Sequence, residues 1–202
     1  MILEEILLIS NNFSCFWFLI VKFNLKLVSI TLFTLLFVAC SSDDDAAPEP
    51  VNEEEVITTM IVTLNGPDQV VLTYQDLDGD GPDAETLTVS GALSANTTYE
   101  GSIRLLNESE EEVEEITEEI EEEDDEHQFF YTIGTGLDVT TEYDDEDENG
   151  NPVGLSFTLT TGAASSGSLT FTLRHEPTKP NDGLENAGGS TDIEKSFDLV
   201  VQ

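Results

Sequence analysis

From residue 56 onward, apolar residues come in short runs that alternate with polar ones, and turn residues separate each run from the next. Alternation with a period of two puts the apolar side chains on one face of a pleated strand, so these runs read as half-buried strands. The segments are 57–64, 69–75, 85–93, 97–106, 129–133, 137–143, 155–161, 168–174 and 197–201. Asn65-Gly66-Pro67-Asp68 turns the first pair and Ser94-Ala95-Asn96 the second. Threonine recurs through them, as suits strand faces that meet water. Short strands at regular spacing predict a mainly-β fold, an antiparallel β-sandwich over 56–202.

One short acidic helix interrupts this pattern. Ser109 followed by Glu112 has the form of a capping box, and Val113, Ile116 and Ile120 recur at helical spacing. Like charges at i,i+4 (Glu111/Glu115, Glu114/Glu118, Glu115/Glu119, Glu118/Glu122) oppose it by roughly 0.2–0.5 kcal/mol each. The helix therefore depends on packing its apolar stripe against the sheet; otherwise residues 113–116 extend a strand.

The formal net charge is −37. Such a field repels nucleic acid and anionic lipid head groups, which excludes DNA, RNA and peripheral membrane binding as expected functions. It attracts divalent cations and basic surfaces. Acid also keeps a crowded surface protein soluble, and that role alone accounts for much of the charge.

The N-terminal quarter carries targeting information. Lys22 and Lys26 precede an apolar stretch over 27–38, and Leu35-Leu36-Phe37-Val38-Ala39-Cys40 ends in a small residue and a cysteine. This resembles the lipobox of bacterial lipoproteins, in which the cysteine thiol is acylated after cleavage just before it. Residues 21–39 are then a signal peptide and Cys40 the lipidation site. Ser42, Asp43, Asp44 and Asp45 resemble an export tag to the outer face of the outer membrane. Residues 40–55 read as an acidic flexible linker. Residues 1–20 place Glu4 and Glu5 where a signal is basic, so they read as an over-extended start. A retained transmembrane helix is the rival, but Lys22 and Lys26 interrupt the apolar run. With Cys40 acylated and Cys15 outside the mature chain, metal chemistry rests on oxygens and imidazoles.

Two loops have the chemistry of calcium sites. Asp76-Leu77-Asp78-Gly79-Asp80-Gly81, with Asp83 close behind, fits D-x-D-x-D-G. Asp145-Glu146-Asp147-Glu148-Asn149-Gly150 fits the same pattern. Calcium wants six to eight oxygens, and acids at alternating loop positions converge on one point. The twelfth positions, Leu87 and Ser156, lack the bidentate Glu of an EF-hand, and the flanks are strands. A weaker calcium site or a metal-free Asp/Gly turn remains for each loop.

The two histidines form a second candidate. If their strands are neighbours, His127 and His175 together with Glu123 or Glu176 hold zinc or copper. Glu123 and His127 also share one helical face at i,i+4. The alternative for each histidine is a strand-end or helix-end cap. Nothing resembles a nucleophile elbow, and carboxylate pairs fit for a glycan-active enzyme arise by chance in so acidic a chain. Arg174 reads as neutralising nearby acid.

Several strings together are similar to a small family of bacterial lipoproteins labelled "type 1 periplasmic binding fold superfamily protein". They are Asp76 to Gly81, Asn96-Thr97-Thr98-Tyr99, Glu118 through Tyr131, Asn149 through Leu155 and Leu173-Arg174-His175-Glu176-Pro177. The label implies two α/β lobes, whereas the strand pattern implies a sandwich. By analogy, the resemblance implies an accessory of an outer-membrane, TonB-dependent transporter. The expectation is a lipid-anchored, non-catalytic module that binds a cation or small ligand, with a purely structural or adhesive surface module as the alternative.

Overall fold

The structure, a computed structural model, describes residues 55–79, 81–109 and 111–202. The expectations for the leader, Cys40, the tag at 42–45 and Asp80 lie outside the described residues. The expected sandwich is present. Strands β1 (Thr59–Asn65), β2 (Val70–Gln75), β3 (Thr86–Val89), β4 (Thr98–Leu106), β6 (Val139–Tyr143) and β7 (Ser156–Thr161) form a sheet ordered β3-β2-β1-β4-β7-β6. Strands β5 (His127–Ile133), β8 (Ser165–His175) and β9 (Ser190–Val201) form a smaller one ordered β5-β8-β9. Neighbouring strands in both sheets are antiparallel.

Alternation explains the layering. In β4 every second residue is buried up to Leu105, and Tyr99, Ile103 and Leu105 join Met60, Val62, Leu64 and Leu72 on the inner face. Phe129, Leu169, Phe171, Leu173 and Phe197 of the small sheet close the core from the other side. Phe157 lies across from Gly101 on β4, where a Cβ would run into its ring, so glycine makes room for the aromatic.

Two expectations about elements are corrected. The helix, α1 (Ile116–Glu122), starts later than the capping box implies and has no side-chain cap at Glu115. Ser109 instead donates to the Asn107 side chain, and Asn107 and Glu114 exchange backbone hydrogen bonds of 3.0 Å each. That bridge turns the intervening residues into a loop and leaves Val113 exposed. Ile116 and Ile120 do pack into the core, and Arg104 of β4 grips Glu115. The last strand is also longer than 197–201. Ile193 and Phe197 continue the inward pattern, while Lys195 between them pairs with Glu85 at 2.6 Å and lies 3.9 Å from the Tyr74 ring centroid. A short second helix, α2 (Leu184–Ala187), lies in the connection between β8 and β9.

Candidate metal centre

The register of the small sheet decides where the two histidines go. His127, first residue of β5, is the direct cross-strand partner of His175, last residue of β8. Phe129, Leu173 and Phe171 on the same strands point into the sandwich, so the period of two sends both imidazoles to the core side as well. The His127 side chain is 0% exposed and that of His175 6%. Their rings stack with centroids 4.6 Å apart.

Asp192 of β9 completes the group. In the β8–β9 ladder Leu173 faces Ile193 and Arg174 faces Thr191, which leaves Asp192 as the extra residue of a β-bulge. Simple alternation from inward-facing Ile193 would turn Asp192 to the other face; the bulge rotates it in. Its carboxylate is 0% exposed, with Oδ2 at 4.0 Å from His127 Nε2 and Oδ1 at 3.9 Å from His175 Nδ1. The bulge is itself held. Arg174 donates to the carbonyls of Gly188 and Gly189 and to the Thr191 hydroxyl rather than to a carboxylate. At Gly189, φ +69, any Cβ would meet the His175 carbonyl, so glycine lets the incoming chain pass.

The protonation pattern suits a metal. His127 Nδ1 lies 3.1 Å from the Glu123 carbonyl, which can only accept, so the proton sits on Nδ1 and Nε2 keeps its lone pair. Burial, followed by the nearby imidazole and Lys179, lowers the His127 pKa and keeps the ring neutral at pH 7. His127 Nε2 and His175 Nδ1 are buried and make no hydrogen bond within the protein. Ring nitrogen and carboxylate oxygen are too far apart to hydrogen-bond. Ligand atoms about 2.1 Å from one tetrahedral ion stand about 3.4 Å apart; the two histidine–carboxylate gaps exceed that by about half an ångström, and one ligand atom from each of the three residues lies within 4.8 Å of the others.

Carboxylates surround this centre. Ligand atoms of Glu55, Glu123 and His127 also lie within 4.8 Å of one another, as do those of Glu126, His175 and Glu176. His175 Nε2 is 3.8 Å from Glu126. Glu176 takes a left-handed backbone, φ 49, and its N–H donates to the Glu126 carbonyl. The Glu55 carboxyl hydrogen-bonds Glu119, and its pKa is raised to about 7 by burial, by that bond and by Glu119, Glu123 and Asp192.

No family model, curated protein or solved structure matches this chain.

Of the residues expected from sequence, the structure joins His127 and His175 directly, with Glu123 beside the first and Glu176 beside the second. The carboxylate facing both is Asp192, which sequence reasoning missed. In the second acidic loop the carboxylates meet backbone amides. Asp145 accepts the N–H groups of Gly154, Leu155 and Ser156. Asp147 accepts those of Asn149 and Asn151 and pairs with Lys179 at 3.5 Å. In this structure these carboxylates accept backbone N–H groups of their own loop. In the first loop, Asp78 accepts the Asp83 N–H, and one buried Asp76 oxygen has no hydrogen bond. Among the described residues, neither loop enters a converging His/Asp/Glu group.

Proposed function

We propose that this chain is a lipid-anchored, outward-facing outer-membrane protein whose sandwich captures a divalent transition metal between His127, His175 and Asp192. One observation carries the reading: a ring nitrogen of each of two buried histidines, making no hydrogen bond within the protein, faces one buried carboxylate. Two nitrogens and a carboxylate suit zinc, copper or iron better than calcium or magnesium, which prefer oxygen. The acidic surface raises cation concentration at the site's mouth. Capture rather than turnover fits a centre whose ligands come from paired strands and have no nucleophile among them. The lipobox-like Cys40 and the acidic tag support the location, and supply to a TonB-dependent transporter gives captured metal a destination.

Isothermal titration of the purified protein with Zn2+ in excess Mg2+ tests the reading. Magnesium suppresses loose binding to surface acid. Tight binding that disappears in His127→Gln with His175→Gln is expected. Equal affinity in that variant would overturn the assignment.

A further inference from the structure

We propose that a cleft on the outer side of β5, away from the metal centre, binds a small aliphatic amine in its cationic form, with the ammonium at Asp182 and the hydrocarbon against Phe130 and Tyr143. The inference does not depend on the metal-capture reading.

The strand pattern places the site. Phe129 of β5 points into the core, so its neighbours Gln128 and Phe130 belong to the opposite face of the sheet. Both are buried all the same, at 3% and 5% exposure. The connection between β8 and β9 covers the first of them, where Asn181 donates to the Gln128 side-chain oxygen at 2.7 Å. The cover does not fill the space. A cleft of about 200 Å³ remains, lined by Phe130, Tyr143, Pro152 and Pro180 together with the two amides. Close-packed proteins leave few gaps larger than a water molecule, so a cleft with this aromatic lining is a feature of its own. A second cleft of about 530 Å³ shares Asn151 and Pro180 with the first and gives a longer ligand room.

Hydrogen-bond accounting decides the ligand's chemistry, because the side-chain donors of the first cleft are spent. Asn181 Nδ2 donates to Gln128 Oε1 and to the Thr178 carbonyl. Asn151 Nδ2 is held by the Asp147 carboxylate, and the Tyr143 hydroxyl donates to the Phe129 carbonyl. Gln128 hydrogen-bonds that same hydroxyl. Pro152 and Pro180 have no N–H to add. What the cleft still offers is an acceptor. Asp182 Oδ1 receives only the Asn186 amide, at 3.3 Å, and Oδ2 accepts no hydrogen bond among the described residues. An anion therefore meets a carboxylate and no free side-chain donor, and a sugar, which both gives and takes hydrogen bonds, is half served. An ammonium group gives three and takes none. Its charge suits Asp182 and the −37 of the whole chain, and the Tyr143 ring, 37% exposed, offers a face to it. Aromatic and proline walls favour a hydrocarbon body behind that charge.

The test uses probes that differ in one feature each. The full chain, purified in detergent and kept in chelator at physiological salt, is titrated with n-butylammonium, butanoate, 1-butanol and methylammonium. Ring-proton shifts of Phe130 and Tyr143 are followed by nuclear magnetic resonance. Butylammonium should move them saturably and the other three should not. Asp182→Asn, at an exposed position, should weaken butylammonium about fivefold, the upper end for a surface ion pair. An equal response to 1-butanol would remove the charge from the recognition. An equal response to methylammonium would leave only diffuse attraction to acid. Tighter binding of methyl glucoside than of butylammonium would make the cleft a polyol site. Each of these results overturns the proposal, as does unchanged affinity in Asp182→Asn. No arm alters His127, His175 or Asp192 or contains free metal, so failure here leaves the metal reading standing, and failure of the zinc titration leaves this cleft untouched.

Discussion

His127 stands directly across from His175 in the β5–β8 ladder, their rings stacked with centroids 4.6 Å apart. Burial keeps the His127 ring neutral, and its Nδ1 proton on the Glu123 carbonyl leaves the Nε2 lone pair for a metal. Binding an ion only in the folded state raises stability by about 2.7 kcal/mol at a ligand concentration of 100 Kd. For a domain of this size that is a rise of about 5–10 °C in Tm. Thermal melts with Zn2+ and with chelator, both in excess Mg2+, should differ by this amount in the native protein. In His127→Gln with His175→Gln the difference should vanish, whatever that variant's own baseline.

Glu55 provides a pH signature. Its carboxyl is raised from 4.5 to about 7, so folding favours the protonated form. That contribution is fully present below about 4.5 and is lost as pH rises through about 7. Glu55→Gln mimics the protonated state at all pH values. The metal-depleted variant should therefore match the native protein at low pH and exceed it above pH 7. The full shift corresponds to ~3 kcal/mol, but Glu55 is partly exposed and solvent screening reduces the expected gap to about 1 kcal/mol. Urea unfolding at a series of pH values measures it; a constant gap would separate Glu55 from the carboxylate cluster. His127 shifts oppositely: its contribution is present above the ordinary 6.5 and lost as pH falls below it, in both proteins.

Arg174 makes a separable prediction because it supports the proposed site without being one of its ligands. Its guanidinium binds the Gly188 and Gly189 carbonyls just before β9, and through them sets the bulge that turns Asp192 inward. Groups that only orient a ligand typically cost about 10–100-fold in metal affinity when removed. Arg174→Met should weaken zinc binding about tenfold, with the metal-depleted protein still folded and its Tm little changed. Arg174→Lys should recover only part, since an ammonium cannot span several acceptors at once. Unchanged zinc affinity in Arg174→Met would show that the bulge holds without it.

Most strands of this protein follow from residues that sequence displays openly, but their pairing and the site do not. Alternation marks Met60-Val62-Leu64 and Phe129-Tyr131 as strand faces without any knowledge of partners. In β9 the same rule is masked, because Asp192, Glu194 and Lys195 make its first half look like a solvated loop. Lys195 belongs there only because Glu85 and Tyr74, over a hundred positions away in the chain, receive it. The histidine pair was visible as a condition, namely that their strands neighbour each other; the register placing 127 opposite 175 is a property of the whole hairpin. Asp192 was beyond reach, since one inserted residue decides which face it takes. The acidic loops show the reverse limit. D-x-D-x-N-G specifies that carboxylates converge, but not whether cations or backbone amides receive them.

That ambiguity can be settled at Asp147. Its side chain is 0% exposed, accepts the Asn149 and Asn151 N–H groups at 2.9 Å each, and faces Lys179 Nζ, itself held by the Asp124 carbonyl. Burial pushes the Asp147 carboxyl up, but the Asn151 and Asn149 hydrogen bonds and the Lys179 charge outweigh it, and the net shift is downward. Its contribution to stability is therefore present above the ordinary 3.8 and lost as pH falls below it. Asp147→Ala strips two partly buried hydrogen bonds of their acceptor and leaves a buried ammonium without its carboxylate, a loss of about 2–4 kcal/mol. If the loop is an amide-anchored turn, that loss should be the same in calcium and in chelator, measured by denaturant unfolding. A loss that appears only in calcium would mean that Asp147 serves an ion, and the hydrogen bonds it makes here would then belong to the calcium-depleted form alone.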